Sequence, residues 1–158
     1  MLAWVAAAAI AAPACDRNTA PVPVPTPVAK PTTTENYTGT LSVSGSNLHF
    51  FLVQQNSEVH VTLTQLTAVA VDANPGADPP VAAAPATPLT TPLRITVGQQ
   101  VLTTLGVQCS SLKSVVAAAG SAEQLTGQAL SGTYCVSVAD TSGALPRSAT
   151  YAITVAHS

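Results

Sequence analysis

The sequence predicts an all-β domain, a sandwich or barrel of short antiparallel strands. From Glu35 onward, segments rich in Val, Thr, Ile and Leu recur between Gly, Asn, Ser and Pro turn signals. No helical repeat of apolar residues is sustained there over a dozen positions. Only 8% of the 158 residues are charged, against an average of about 25%, while Thr, Ser, Val and Ala dominate as in extracellular β proteins. The length fits one domain with appendages, because single domains commonly run to about 100–200 residues.

The chain opens on an apolar run from Leu2 to Ala12, too short to span about 30 Å of hydrocarbon as a helix. Residues 1–14 read as a signal peptide, and Ala12-Pro13-Ala14-Cys15 resembles a bacterial lipobox. In that motif the cysteine thiol takes a diacylglyceryl group, palmitate being a typical chain, before cleavage leaves the cysteine as the new N-terminus. The other reading is ordinary secretion, with Ala12-Pro13-Ala14 as an A-x-A cleavage site and Cys15 left as a free thiol. Cysteine counting favours lipidation at Cys15, since Cys109 and Cys135 make a natural pair and leave Cys15 over. Each buried acyl CH₂ adds about 0.8 kcal/mol, so several chains anchor firmly.

Residues 15–34 form a tether. Pro21, Pro23, Pro25, Pro27 and Pro31 alternate with Val, Thr and Ala, a composition that favours extended polyproline II and buries no core. The domain expected over 35–158 begins with Tyr37, Gly39, Leu41 and Val43 as a first strand, then a turn at Ser44-Gly45-Ser46-Asn47. Leu48–Val53 follows as an apolar second strand, in which alternation turns one of Phe50 and Phe51 to the core and the other outward. Val59, Val61, Leu63 and Gln65 alternate with His60, Thr62 and Thr64 as the clearest half-buried strand. Asp72–Pro92, with six prolines and Asn74-Pro75-Gly76, reads as a long Pro/Ala-rich surface loop. Leu93, Ile95 and Val97 resume alternation. Val101–Val107 offers another strand, and Leu112–Ala119 fits a strand or a helical turn. Gln124–Leu130, then Tyr134, Val136 and Val138, then Tyr151, Ile153 and Val155 complete the series. In an oxidising compartment Cys109 and Cys135 form a structural disulfide; a redox or metal-binding pair would call for CxxC spacing or a nearby His.

The run Ser131-Gly132-Thr133-Tyr134-Cys135-Val136-Ser137-Val138, with the later Thr150-Tyr151-Ala152-Ile153-Thr154-Val155, resembles the "GTY-x-V-x-V" and "TY-x-I-x-V" strands of bacterial pre-peptidase C-terminal domains. Tyr37-Thr38-Gly39-Thr40-Leu41 and His49-Phe50-Phe51 resemble that family's first hairpin. The resemblance implies a jelly-roll-like β-sandwich of about eight antiparallel strands that assists secretion, targeting or substrate attachment. Some relatives bind calcium through clustered acidic residues, but Asp72, Asp78 and Asp140 are dispersed, so no metal ligand carries over.

The sequence predicts no catalytic residue, no metal site and no cofactor. A GxSxG elbow and HExxH are absent from the sequence. His49, His60 and His157 read as solvent-facing strand histidines, and Glu35, Glu58 and Glu123 as solubilising charges. Lys30, Lys113, Arg17, Arg94 and Arg147 are scattered and the formal charge is −2, which excludes nucleic acid as a partner. The expectation is a non-catalytic lipoprotein of the bacterial cell envelope, on either membrane, with a domain that binds or scaffolds an envelope protein or a glycan. The alternative is a secretion or substrate-targeting module working beside a separate secreted hydrolase, either anchored or freely secreted.

Overall fold

The computed structural model describes residues 32–70, 84–104 and 106–158. Cys15, the signal peptide, the tether up to residue 31 and the loop's residues 72–83 lie outside the described residues. The rest is all-β, with eight strands: β1 (Thr33–Leu41), β2 (Ser46–Val53), β3 (Ser57–Ala68), β4 (Leu93–Thr103), β5 (Gly106–Ala117), β6 (Leu125–Ala129), β7 (Gly132–Ala139) and β8 (Ala149–His157). β1 takes in Thr33 and Thr34, assigned above to the tether, because β-branched residues sit well on a pleated sheet and both pair with β8.

Two four-stranded antiparallel sheets form, ordered β1-β8-β3-β6 and β2-β7-β4-β5. Strands adjacent in sequence mostly lie in opposite sheets, the double Greek-key connectivity of a jelly roll. Alternation supplies the core between them. Val59, Val61 and Leu63 of β3 and Ile153 and Val155 of β8 face Phe51, Val53, Leu93, Ile95, Val136 and Val138 of the other sheet. Phe51 is the inward member of its pair and Phe50 the outward one.

Two bulges change what alternation alone predicts. β3 shifts register between Leu63 and Gln65, so Leu66 and Ala68 are buried and Gln65 is exposed. An extra residue in one strand reverses the faces of everything after it. The second lies in β5, where Leu112 is the extra residue opposite Val97 and Gly98; β4 itself runs unbroken to Thr103, so the segments expected at Leu93–Val97 and Val101–Val107 fall in one strand, its connection and the first residues of β5. Leu112–Ala119 resolves as strand to Ala117. Gly98 has a reason to be glycine. The disulfide Cys109–Cys135 joins β5 to β7 across β4, and a Cβ on Gly98 would lie 2.8 Å from the Cys109 sulfur and against the Ser110 carbonyl.

Residues 84–92 run as a loop along the end of β3, where Ala68 N–H donates to Thr87 O and Leu89 N–H to Leu66 O. Leu89 packs against the core.

Candidate functional site

A sandwich has two open seams where its sheets' edge strands face each other, and here the two are filled differently. The seam between β1 and β2 is polar. Inward positions of β1 are Glu35, Tyr37 and Gly39, those of β8 are Tyr151 and His157, and His49 comes from β2. Tyr37 OH donates to the Glu35 carboxylate and contacts the Phe50 carbonyl at 2.8 Å, so one hydroxyl ties the two edges together. His157 Nε2 lies 3.0 Å from Glu35 Oε1 with the imidazole 3% exposed. His49 stacks on Tyr37 with ring centroids 4.7 Å apart, and its Nε2 is 2.7 Å from Tyr151 OH.

Glycine makes the last contact possible. A Cβ on Gly39 would sit 2.7 Å from the Tyr151 hydroxyl, so the phenol crosses β1 where no side chain stands. Burial, then hydrogen bonding to Glu35 and its charge, push the Tyr37 pKa well above the usual phenol range. Burial also lowers His49 and raises Tyr151, the latter opposed by a hydrogen bond from Asn47. Neutral tyrosine and neutral His49 are therefore the favoured forms, so the Tyr37 hydroxyl keeps the proton that it donates to the Glu35 carboxylate.

Sequence reasoning missed this cluster. His49 and His157 are not the solvent-facing histidines expected, and Glu35 is a half-buried partner of two side chains. His60 is partly exposed as expected, but its Nδ1 lies 2.8 Å from Glu123 Oε2. No group of three or more His, Cys, Asp or Glu among the described residues is arranged to hold a metal.

Asp140 organises the loops at one end of this seam. Its carboxylate accepts N–H bonds from Ser44 at 3.1 Å, Ala144 at 2.9 Å and Leu145 at 3.2 Å. Burial alone would raise its pKa, but these bonds and one from Gly143 outweigh burial and hold it below the usual carboxylate range. Ser44 takes φ 57° and Gly143 φ 64° in the two turns so joined.

The opposite seam, between β5 and β6, is a cleft of about 230 Å³. Val59, Val97, Leu125, Ala129 and Tyr134 line it, with Lys113 and Gln128 among its polar residues. Lys113 Nζ donates to Thr126 O at 2.5 Å. Ser110-Ser111-Leu112-Lys113 has the spacing of an SxxK box. That box needs a lysine amine free to take a proton from the serine hydroxyl, whereas this ammonium is engaged with a carbonyl across the seam.

No family model and no curated protein matches the sequence. Among solved structures the chain is similar to a periplasmic inhibitor of g-type lysozyme from Salmonella Typhimurium, at 14% identity over 83% of this chain and 93% of that one, with a TM-score of 0.34. A likeness at that level bears on neither partner nor activity.

Proposed function

We propose that the chain is a non-catalytic cell-envelope lipoprotein, anchored through Cys15 and held off the membrane by its Pro-rich tether, whose jelly roll serves as a binding or scaffolding domain. The observation that carries this reading is the contrast between the seams. The histidines, tyrosines and glutamate of the β1–β2 seam bond mostly to one another, as buried polar groups do, and among the described residues only His157 Nδ1 is left buried without a partner. The β5–β6 seam is a concave, mostly apolar surface with a few polar groups, the usual make-up of a recognition site.

The jelly-roll strand order agrees with what a pre-peptidase C-terminal domain implies, and this supports a second reading, a secretion or substrate-targeting module acting with a separate hydrolase. The two readings differ in partner.

One preparation tests both. The protein is expressed with its own leader in a bacterium, extracted in detergent after mild cross-linking, and measured by intact mass with and without reduction. A mass for residues 15–158 plus acyl groups, cross-linked to an envelope protein or retained on glycan, is the expected result. An unacylated soluble product cross-linked to a hydrolase would replace the first reading with the second.

A further inference from the structure

The β5–β6 cleft has features that seam geometry alone does not require. β6 is the last strand of its sheet and pairs on one side only, with β3 from Ser57↔Ala129 to Val61↔Leu125. A one-sided strand keeps backbone N–H and C=O groups on its outer edge, and among the described residues no strand takes them up. One of its carbonyls, on Thr126, receives the Lys113 ammonium from β5 instead.

Gly127 stands in the middle of β6, where glycine weakens a strand and commonly marks the close approach of another backbone or a ligand. Gly39 and Gly98 each make room for a group of this chain, Tyr151 and the disulfide. A Cβ on Gly127 would meet nothing within 4 Å, so the space it leaves is open. That space belongs to the cleft of about 230 Å³, below the roughly 300–1,000 Å³ of small-molecule sites and suited to one or two apolar side chains. Among the described residues, Lys113 is its one charged lining residue.

We propose that this cleft docks the carboxyl-terminal end of an extended, apolar polypeptide. The peptide adds a strand to the free edge of β6, its last side chain fills the space over Gly127, and its terminal carboxylate takes over the Lys113 ammonium from Thr126 O. Strand addition and carboxylate capture are established modes of peptide recognition. An ammonium–carboxylate hydrogen bond is stronger than one to a neutral carbonyl, so the exchange favours a free chain end over an internal segment. This inference rests on the binding-domain reading and names the partner's chemistry.

The test is fluorescence anisotropy of a labelled heptapeptide of alternating threonine and valine ending in leucine, as the free acid and as the carboxamide, titrated with the purified full chain. The acid is expected to bind at least tenfold more tightly than the amide. Lys113→Gln should bring the acid down to the amide's affinity. Gly127→Leu, which places a side chain in open space, should lose at least tenfold for both peptides with the circular dichroism spectrum and melting midpoint kept. Equal affinity for acid and amide, no binding of either, or wild-type affinity in Gly127→Leu overturns the proposal. In that event, cross-linking to envelope material by Gly127→Leu as by wild type leaves the binding-domain reading standing on another surface. Loss of cross-linking in both removes that reading as well.

Discussion

Tyr151 reaches His49 because residue 39 has no side chain, and this makes the β1–β2 seam sensitive to single atoms. Gly39→Ala puts a methyl 2.7 Å from the phenol oxygen and 2.9 Å from Cζ. A ring that is 3% exposed has little room to retreat, and overpacking of this kind costs about 1–3 kcal/mol. Urea unfolding should show the loss, together with a changed near-ultraviolet tyrosine signal; an unchanged signal would mean that the ring does not cross over Gly39. The same contact sets a pH dependence. Burial lowers the His49 pKa from its ordinary value of 6.5, so as pH falls the unfolded chain takes up this proton first. The stability held by neutral His49 is fully present above 6.5 and declines as pH drops below it. His49→Gln offers Tyr151 a neutral partner and removes the titration, so its stability should fall less steeply than wild type below pH 6.5. Glu35 and His157 stay in both proteins, which isolates His49 in the difference. Asp140 has the opposite chemistry and the same sign. Its lowered carboxylate pKa contributes stability above the ordinary value of 3.8, lost as pH falls through the folded value. Asp140→Asn should therefore be less stable than wild type at neutral pH and show a flatter acid limb.

Among the elements, the edge of β3 beyond β6 shows how one side chain stands in for a strand. β6 pairs with β3 only as far as Val61, and the next segment is served by Gln124. Its Oε1 accepts from Leu63 N–H at 2.6 Å, while its Nε2 donates to the Leu63 and Ala118 carbonyls at 3.3 Å. Gln124→Ala strands a backbone N–H beside the core at a cost of about 1–3 kcal/mol, whereas Gln124→Glu, which keeps the acceptor, should lose less. Chemical denaturation of both variants checks the order. The disulfide ties elements in another way, closing a loop with a sequence separation of 26, and reducing it should cost about 3 kcal/mol in the chain-entropy model.

These elements also show what could be read from the sequence. Period-two alternation placed strands at β3, β7 and β8, because their inward residues are mostly Val, Ile, Leu and Tyr against an outer face of Thr, Ser, Ala and other small or polar residues, while β2 was placed by its apolar run, whose outward Leu48, Phe50 and Leu52 stay exposed. Alternation placed Gln65 on the core face because a bulge leaves no mark on apolar spacing, and split β4 because Gly98 reads as a break. The seam clusters were hidden for a different reason. His157 and Glu35 are 122 positions apart and meet only through the pairing of β1 with β8. Cys109 and Cys135 could be matched at a distance only because three cysteines leave few pairings.

For the molecule as a whole, the last strand is the one on which a sheet depends. β8 lies between β1 and β3, pairing from Thr33↔His157 to Leu41↔Ala149 on one side and from His60↔Ala156 to Ala68↔Ala149 on the other. Its inward residues Tyr151, Ile153 and Val155 sit in the core, and His157 is buried beside Glu35. A chain ending at Ser148 thus keeps seven of the eight strands but leaves β1 with no pairing strand and β3 with only the short β6. An isolated edge cannot satisfy its backbone away from water, and the facing sheet β2-β7-β4-β5 would lose the surface that covers Phe51, Ile95 and Val136. The truncated chain should therefore show no cooperative urea transition and react at both Cys109 and Cys135 with a thiol reagent after mild reduction and its removal, where the full chain re-forms its bridge. Because pairing of residue 33 with residue 157 closes almost the whole described chain, refolding of the full chain should be slow, on the order of milliseconds to seconds, and should await the C-terminal strand. A cooperative transition in the truncated chain would mean that the β2-β7-β4-β5 sheet, stapled by its disulfide, is the unit that folds first and β8 only completes it.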